Sequence, residues 1–224
     1  MPDADLPDGG TIALRMDFQT EINRAADTLA RGGVLAIPTD TLYGLAADAL
    51  NPDALDRVYA AKGRPADMPL PVLVSGWEQA LQVTVVSPDA ELITRRLAET
   101  YWPGSLTMVL PAAPGLPERL TAGRDTVAVR MPDHPVPLDL AKTLGRPITG
   151  TSANRSGEPD ITDPDELRRI LAPRVDGIIV SGPKPVGGAS TIVAVSGDGI
   201  RLLREGVLPY EHVCVTLETG RPVD

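Results

Sequence analysis

The residues with chemistry to offer gather in short polar clusters between apolar runs: Pro38-Thr39-Asp40-Thr41-Leu42-Tyr43-Gly44, Lys62-Gly63-Arg64-Pro65, Arg130, Thr151-Ser152-Ala153-Asn154-Arg155-Ser156-Gly157, Ser190-Thr191 and Arg204. Lys62 and Arg64 offer a flexible point charge and a planar five-donor fork, suited together to gripping a polyphosphate, with Pro65 stiffening the loop. The same cations are at home at a helix C-terminus, where they favour the macrodipole. The stretch 152–157 reads either as a turn whose short polar side chains bond their own backbone or as a hydroxyl-and-amide cradle for a nucleotide. Arg130 ends an apolar strand, either as a solvated rim or as a clamp for a carboxylate, and Arg204 ends its own strand likewise. Thr41 fits a cap on the loop after Pro38. His134, two residues past Pro132, reads as a surface loop histidine with no catalytic role.

Several other chemistries are excluded. No G-x-x-x-x-G-K-[ST] loop, G-x-G-x-x-G fingerprint or G-x-S-x-G elbow occurs in the chain. One cysteine, Cys214, and two histidines, His134 and His212, are too few for a disulfide framework or a Cys/His zinc site. Twenty-one Lys and Arg against 30 Asp and Glu give a net charge of −9, which disfavours a broad basic surface for nucleic acid. Aromatic residues make up 3%, thin material for stacking bases. The opening MPDADLPDGG lacks the basic start and apolar run of an export signal, and no apolar stretch approaches a membrane span, so a cytoplasmic location is expected.

The elements that must position the clusters follow from periodicity. Ile22, Ala25, Ala26, Leu29 and Ala30 predict a helix over 20–31, stopped by Gly32-Gly33. The run 34–37 predicts a strand buried on both faces. Asn51-Pro52 and Asp163-Pro164 predict capped helix starts, the first helix ending at Lys62, the second near Leu171. A further helix opens at Ser87-Pro88 and closes at Pro103-Gly104, and another covers 138–144. Strands are predicted over 70–74, 106–110, 126–130 and 177–180, and 191–195 pairs with 200–204 across Gly197-Asp198-Gly199 as a hairpin. The alternation gives one α/β domain with a mixed parallel and antiparallel sheet flanked by helices, over 16–208, between an N-terminal arm (1–15) and a C-terminal tail (209–224). In open α/β sheets ligands sit where loops leave strand ends, and the polar clusters lie there.

In order along residues 20 to 208, GGVLAIPTDTLYGLAADAL, KGRPADMPLPVLV, WPGSLTMVLP, VAVRMPDH, PITGTSANRSGEPD and STIV…LLREG resemble the TsaC/YrdC family of L-threonylcarbamoyladenylate synthases. The resemblance implies a twisted mixed sheet around a positively charged concave cavity. It further implies ATP-dependent condensation of L-threonine and bicarbonate to threonylcarbamoyl-AMP with release of pyrophosphate, the first step of tRNA threonylcarbamoyladenosine formation. Mg2+ would accompany ATP, with no protein side chain assigned to it. The implied partners are ATP, L-threonine and bicarbonate, with weak tRNA binding and the proteins that act downstream in transferring threonylcarbamoyl to tRNA, and no membrane. The family's signature tetrad matches Lys62, Arg64, Ser152 and Asn154. By the same likeness Lys62 and Arg64 are catalytic, Arg64, Thr126, Ser152, Asn154 and Arg204 hold ATP, and Thr41, Arg130, Gly150 and Ser190 hold L-threonine, Arg130 clamping its carboxylate. Met68, Leu73 and Ala194 stand where relatives carry polar, histidine or acidic residues.

Two other functions compete: an RNA-binding module of the same fold, and a family offshoot with hydrolytic or carbamoyl-transfer activity. Only 16 residues follow Leu208, which predicts a short form without an additional C-terminal domain. Because an exposed carbamate would lose carbon dioxide, a closing loop is expected, and the Pro/Gly-rich stretch 183–188 is the candidate.

Overall fold

A computed structural model describes residues 9–221, with side chains from residue 18 onward. In chain order the elements are α1 (Gly9–Ala30), β1 (Leu35–Pro38), β2 (Tyr43–Ala46), α2 (Pro52–Lys62), β3 (Val72–Leu73), α3 (Trp77–Val83), α4 (Glu91–Tyr101), β4 (Leu106–Pro111), α5 (Glu118–Thr121), β5 (Thr126–Arg130), α6 (Pro135–Leu144), β6 (Ile148–Thr149), β7 (Thr151–Ser152), α7 (Pro164–Leu171), β8 (Gly177–Ile178), β9 (Thr191–Ser196), β10 (Gly199–Arg204) and α8 (Tyr210–Thr219).

Local chemistry sets several helix ends. The Asn51 side chain accepts from the N–H groups of Asp53 and Ala54 ahead of α2, and Asp163 does the same for Asp165 and Glu166 ahead of α7, each with proline at the first helical position. Gly63 closes α2 in the left-handed region, at φ 61°.

The mixed α/β character predicted from the alternation is present, and the strands divide into two mixed sheets. The larger has the order β10-β9-β4-β5-β3-β6, parallel at β9/β4 and β5/β3 and antiparallel elsewhere. The smaller has the order β7-β2-β1-β8, parallel only at β1/β8. The chain passes from the larger sheet to the smaller between β6 and β7, through Gly150. A Cβ at Gly150 would stand 2.4 Å from Leu73 Cγ, so any larger residue there must displace the Leu73 side chain.

The larger sheet has two unlike faces, because side chains alternate along a strand. Leu106, Met108, Leu110, Val127, Val129, Val193 and Val195 are buried in apolar clusters beneath it. Thr107, Val109, Thr126, Ala128, Arg130 and Ile192 point the other way, into a cavity.

The chain ends depart from expectation. Residues 1–8 of the predicted arm lie outside the described residues, and the chain is helical from Gly9. The segment predicted as a tail contains α8, which packs on α4: Val213 is fully buried, and the Tyr101 hydroxyl lies 2.6 Å from Thr216 Oγ1 and donates to His212 O at 2.9 Å. These contacts join positions more than a hundred residues apart, and the local pattern of α8 carries little trace of them. Among the described residues no helix is long and apolar enough to cross a membrane.

Candidate functional site

The cavity over the polar face of the larger sheet encloses about 620 Å³. Four arginines, Arg64, Arg124, Arg130 and Arg204, line it against one carboxylate, Asp160. Of the expected ligand residues Thr41, Arg64, Thr126, Arg130, Gly150, Ser152, Ser190 and Arg204 all reach this one hollow, from both sheets and the loops between them. Met68 and Leu73, two of the three departures, line it as well, and Ala194 does not.

Strand alternation brings Arg130 to the cavity face at the end of β5, where its side chain is only 7% exposed. Nε donates to Gly104 O at 2.7 Å, Nη1 to Thr41 Oγ1 at 2.8 Å and Nη2 to Asp40 Oδ2 at 2.5 Å. Burial draws the guanidinium pKa below its ordinary value, the Asp40 carboxylate opposing that. Three of five N–H groups are thus spent on orientation, and two are left for a ligand. The solvated-rim reading of Arg130 fails, because the residue is buried and paired.

Arg204 donates to Ser190 O from Nε and Nη2 (3.2 and 2.8 Å) and from Nη2 to Ser190 Oγ (3.2 Å). Arg64 is braced by carbonyls of the following loop, Nε on Met68 O at 3.1 Å and Nη2 on Pro69 O at 2.8 Å. Burial lowers the pKa of both guanidiniums. Each is therefore a fixed cation at the wall with N–H groups unspent, the preorganised form in which charge stabilisation needs no rearrangement.

Lys62 and Asn154 stand elsewhere. Lys62 is 3% exposed and does not line the cavity. Its ammonium lies 2.6 Å from Ser152 O, 3.2 Å from Ser152 Oγ and 2.9 Å from both Asn154 O and Asn154 Oδ1. The Ser152 hydroxyl donates to Asn154 Oδ1 at 2.7 Å, and Ser156 N donates back to Lys62 O at 2.9 Å. Neither Lys62 nor Asn154 stands at the cavity wall in this structure: the end of α2 directs the lysine beneath the 152–156 loop, where neutral oxygens surround it. Burial, and after it the Arg64 charge, bring the ammonium down from 10.5 to about 8. The hydrogen bonds of Lys62 and Asn154 hold the loop that carries Ser152.

His134 is also corrected. It is 1% exposed and caps α6, its Nδ1 accepting from Val136 N at 3.2 Å and its Nε2–H donating to Pro183 O at 3.0 Å. The proline after it, an N1 signal, could have marked it as a cap. The 183–188 loop is further held by Val186 N on Asp40 O and Gly187 N on Thr41 O, at 3.1 and 3.0 Å. Three polar or charged cavity residues escaped the sequence reading: Thr107, Arg124 and Asp160. For Thr107 a signal existed, a lone hydroxyl inside the apolar run of β4.

The family model for Sua5/YciO/YrdC, described as telomere recombination, matches residues 27–206. This chain belongs to that family. Within the Sua5/YciO/YrdC family it is 41% identical over 194 residues to the threonylcarbamoyl-AMP synthase of Bacillus subtilis, covering 86% of this chain and 55% of that protein. It is 36% identical over 184 residues to the threonylcarbamoyl-AMP synthase of Xanthomonas campestris, covering 79% of this chain and 97% of that protein. Among solved structures it is similar to P. abyssi Sua5 complexed with L-threonine, with a TM-score of 0.81 and 38% identity over 90% of this chain and 58% of that one. The chain thus spans little more than half the length of the B. subtilis and P. abyssi relatives and nearly all of the Xanthomonas one.

Proposed function

We propose that this chain makes L-threonylcarbamoyladenylate from L-threonine, bicarbonate and ATP, releasing pyrophosphate, the first step towards threonylcarbamoyladenosine in tRNA. The observation that carries the reading is the shared hollow: Thr41, Arg64, Arg130, Ser152 and Arg204 all face one space of about 620 Å³. The names of the relatives and the threonine complex of P. abyssi Sua5 support it.

The chemistry suits a site built from donors and cations. The threonine amine attacks the carbon of bicarbonate to give a carbamate and water. A carbamate oxygen then attacks the α-phosphorus, and the bond to the β-phosphate oxygen breaks as pyrophosphate leaves. Negative charge builds on the attacked phosphate and the departing group, so alignment and fixed positive charge carry the rate, with no protein nucleophile required. Arg130, aided by Thr41 and Ser190, holds the amino-acid carboxylate. Arg64, Arg204, Ser152 and Thr126 hold the nucleotide.

The lining fits Mg2+ that arrives on the triphosphate. Among the described residues no three metal-ligating side chains cluster, and Asp160 is the single carboxylate in the lining, a donor set matched to an ion that keeps waters and substrate phosphates. Asp160 is the residue that would hold it, and the ion would neutralise phosphate charge. Use of ATP and a product destined for tRNA support a cytoplasmic location, with weak tRNA binding and the downstream transfer proteins as partners.

The test is pyrophosphate release from ATP by the purified protein. Release that requires L-threonine and bicarbonate together is the expected result. Release that ignores either one would overturn the reading.

A further inference from the structure

Thr107 of β4 lies between two of the residues given to the amino acid. The β4/β5 register that pairs Met108 with Val129 sets Thr107 beside Arg130, and its hydroxyl lies 2.8 Å from Ser190 Oγ, just ahead of β9. Both side chains are buried, at 3% and 7% exposure, and both line the cavity.

A hydroxyl has one proton to donate and two lone pairs to fill. One lone pair of Ser190 Oγ is filled by Arg204 Nη2 at 3.2 Å. Thr107 Oγ1 has no other hydrogen-bond partner among the described residues, and either hydroxyl can donate in this pair; with Thr107 as the donor, the second lone pair of Ser190 is filled. The Ser190 proton then has no acceptor among the described residues, and Ser190 lines the cavity. It does so between Arg130 and Arg204, close enough to each other that the Arg204 charge lowers the Arg130 pKa. A lone donor between two cations fits an anionic oxygen.

We infer that Thr107 is a positioning residue for amino-acid binding: by filling a Ser190 lone pair it holds the Ser190 hydroxyl as a donor to the substrate carboxylate that Arg130 clamps. The inference rests on the reaction proposed above. Thr107 itself contributes no bond to the substrate, so its effect passes entirely through Ser190.

The experiment titrates L-threonine at saturating ATP and bicarbonate for wild type, Thr107→Val, Thr107→Ser, Ser190→Ala and the Thr107→Val/Ser190→Ala pair. Thr107→Val keeps the shape and removes the hydroxyl. It raises the threonine KM about tenfold with kcat and the ATP KM unchanged, Thr107→Ser restores the wild-type value, and the double variant is no worse than Ser190→Ala. Additive losses in the double variant, equal damage from Thr107→Ser, or a shift in the ATP KM instead would each overturn it. Calorimetric binding of L-threonine to the wild type and to Thr107→Val reads the same hydroxyl without turnover. Threonine binding weakened by Thr107→Val in a protein that releases no pyrophosphate would sink the proposed reaction alone; a wild type that binds no threonine would sink both. Should Thr107→Val fail to fold, Thr107→Ala carries the same comparison with Thr107→Ser.

Discussion

Lys62 Nζ donates to the main-chain oxygen of Ser152 at 2.6 Å, across 90 residues of sequence. The bond makes a buried ammonium the keystone of the loop that carries a cavity hydroxyl. Among the described residues no carboxylate forms an ion pair with that ammonium; burial and its neighbour Arg64 disfavour the charge, and the Asp160 carboxylate opposes them only in part.

A pH dependence follows. Burial and Arg64 bring Lys62 to about 8, below its ordinary 10.5. Above that point the folded protein loses the charge that favours a triphosphate, so ATP affinity falls as pH rises through about 8. Stability responds with the opposite sign: between about 8 and 10.5 the unfolded chain binds more protons at this group, and its contribution to stability rises with pH. Calorimetry of ATP binding across this range should show the fall in the wild type and a flat profile in Lys62→Met, which removes the charge. An unchanged profile in the variant would refute the assignment.

Arg64 acts from the wall itself. Its Nε and one Nη2 proton are held by Met68 O and Pro69 O, and the rest of the fork is free to meet phosphate. Arg64→Ala should lower pyrophosphate release by about a hundredfold or more. The fold should persist, since the carbonyls left behind belong to a partly exposed loop that water can reach. Activity and thermal unfolding measured side by side check both halves.

How far these residues could be read in advance depended on the range of the interaction that fixes each one. The caps at Asn51 and Asp163 and the hairpin at Gly197-Asp198-Gly199 are local, and all three stand where side-chain chemistry puts them. Arg130 was legible because a two-residue period carries it to the face shared by Thr126 and Ala128. The burial of Lys62 was not, because its acceptors come from Ser152 and Asn154, and nothing near Lys62 in sequence announces them. Strands β3 and β8 fall inside the predicted runs 70–74 and 177–180, but which sheet each short strand joins is set by long-range pairing, so the division into two sheets left no periodic trace. The same holds for α8, which is buried by Tyr101 and its neighbours on α4.

Arg130 and Asp40 form a pair with side chains 7% and 18% exposed. Arg130→Ala removes the proposed carboxylate clamp and also strands Asp40, whose Oδ1 is already buried without a partner among the described residues. Loss of one member of such a pair costs about 3–5 kcal/mol. The single variant should therefore lose both threonine affinity and stability. Arg130→Ala/Asp40→Asn should regain much of the stability, with no stranded charge left, and none of the threonine affinity. Chemical denaturation and threonine titration separate the two; recovery of threonine affinity in the double variant would show that Arg130 is not the clamp.

Gly150 offers the sharpest steric test, because the passage between sheets and the wall of the site meet there. Its N–H donates to Pro71 O at 2.9 Å, which fixes the backbone against the 70–73 segment, and an added Cβ would meet Leu73 Cγ, Cδ2 and Cδ1 at 2.4, 2.7 and 2.8 Å. Neither backbone can retreat, since β6 pairs with β3 on one side of Gly150 and β7 with β2 on the other. Leu73 is buried and lines the cavity, so the side chain that yields belongs to the wall of the site. Gly150→Ala should raise the threonine KM and cost about 1–3 kcal/mol of stability, the range for overpacking. Trimming the obstacle reverses both: Gly150→Ala/Leu73→Ala should bind threonine better than Gly150→Ala alone, although Leu73→Ala by itself leaves a cavity and destabilises. A double variant that only sums the two losses would mean that Gly150 serves the site by some route other than its closeness to Leu73.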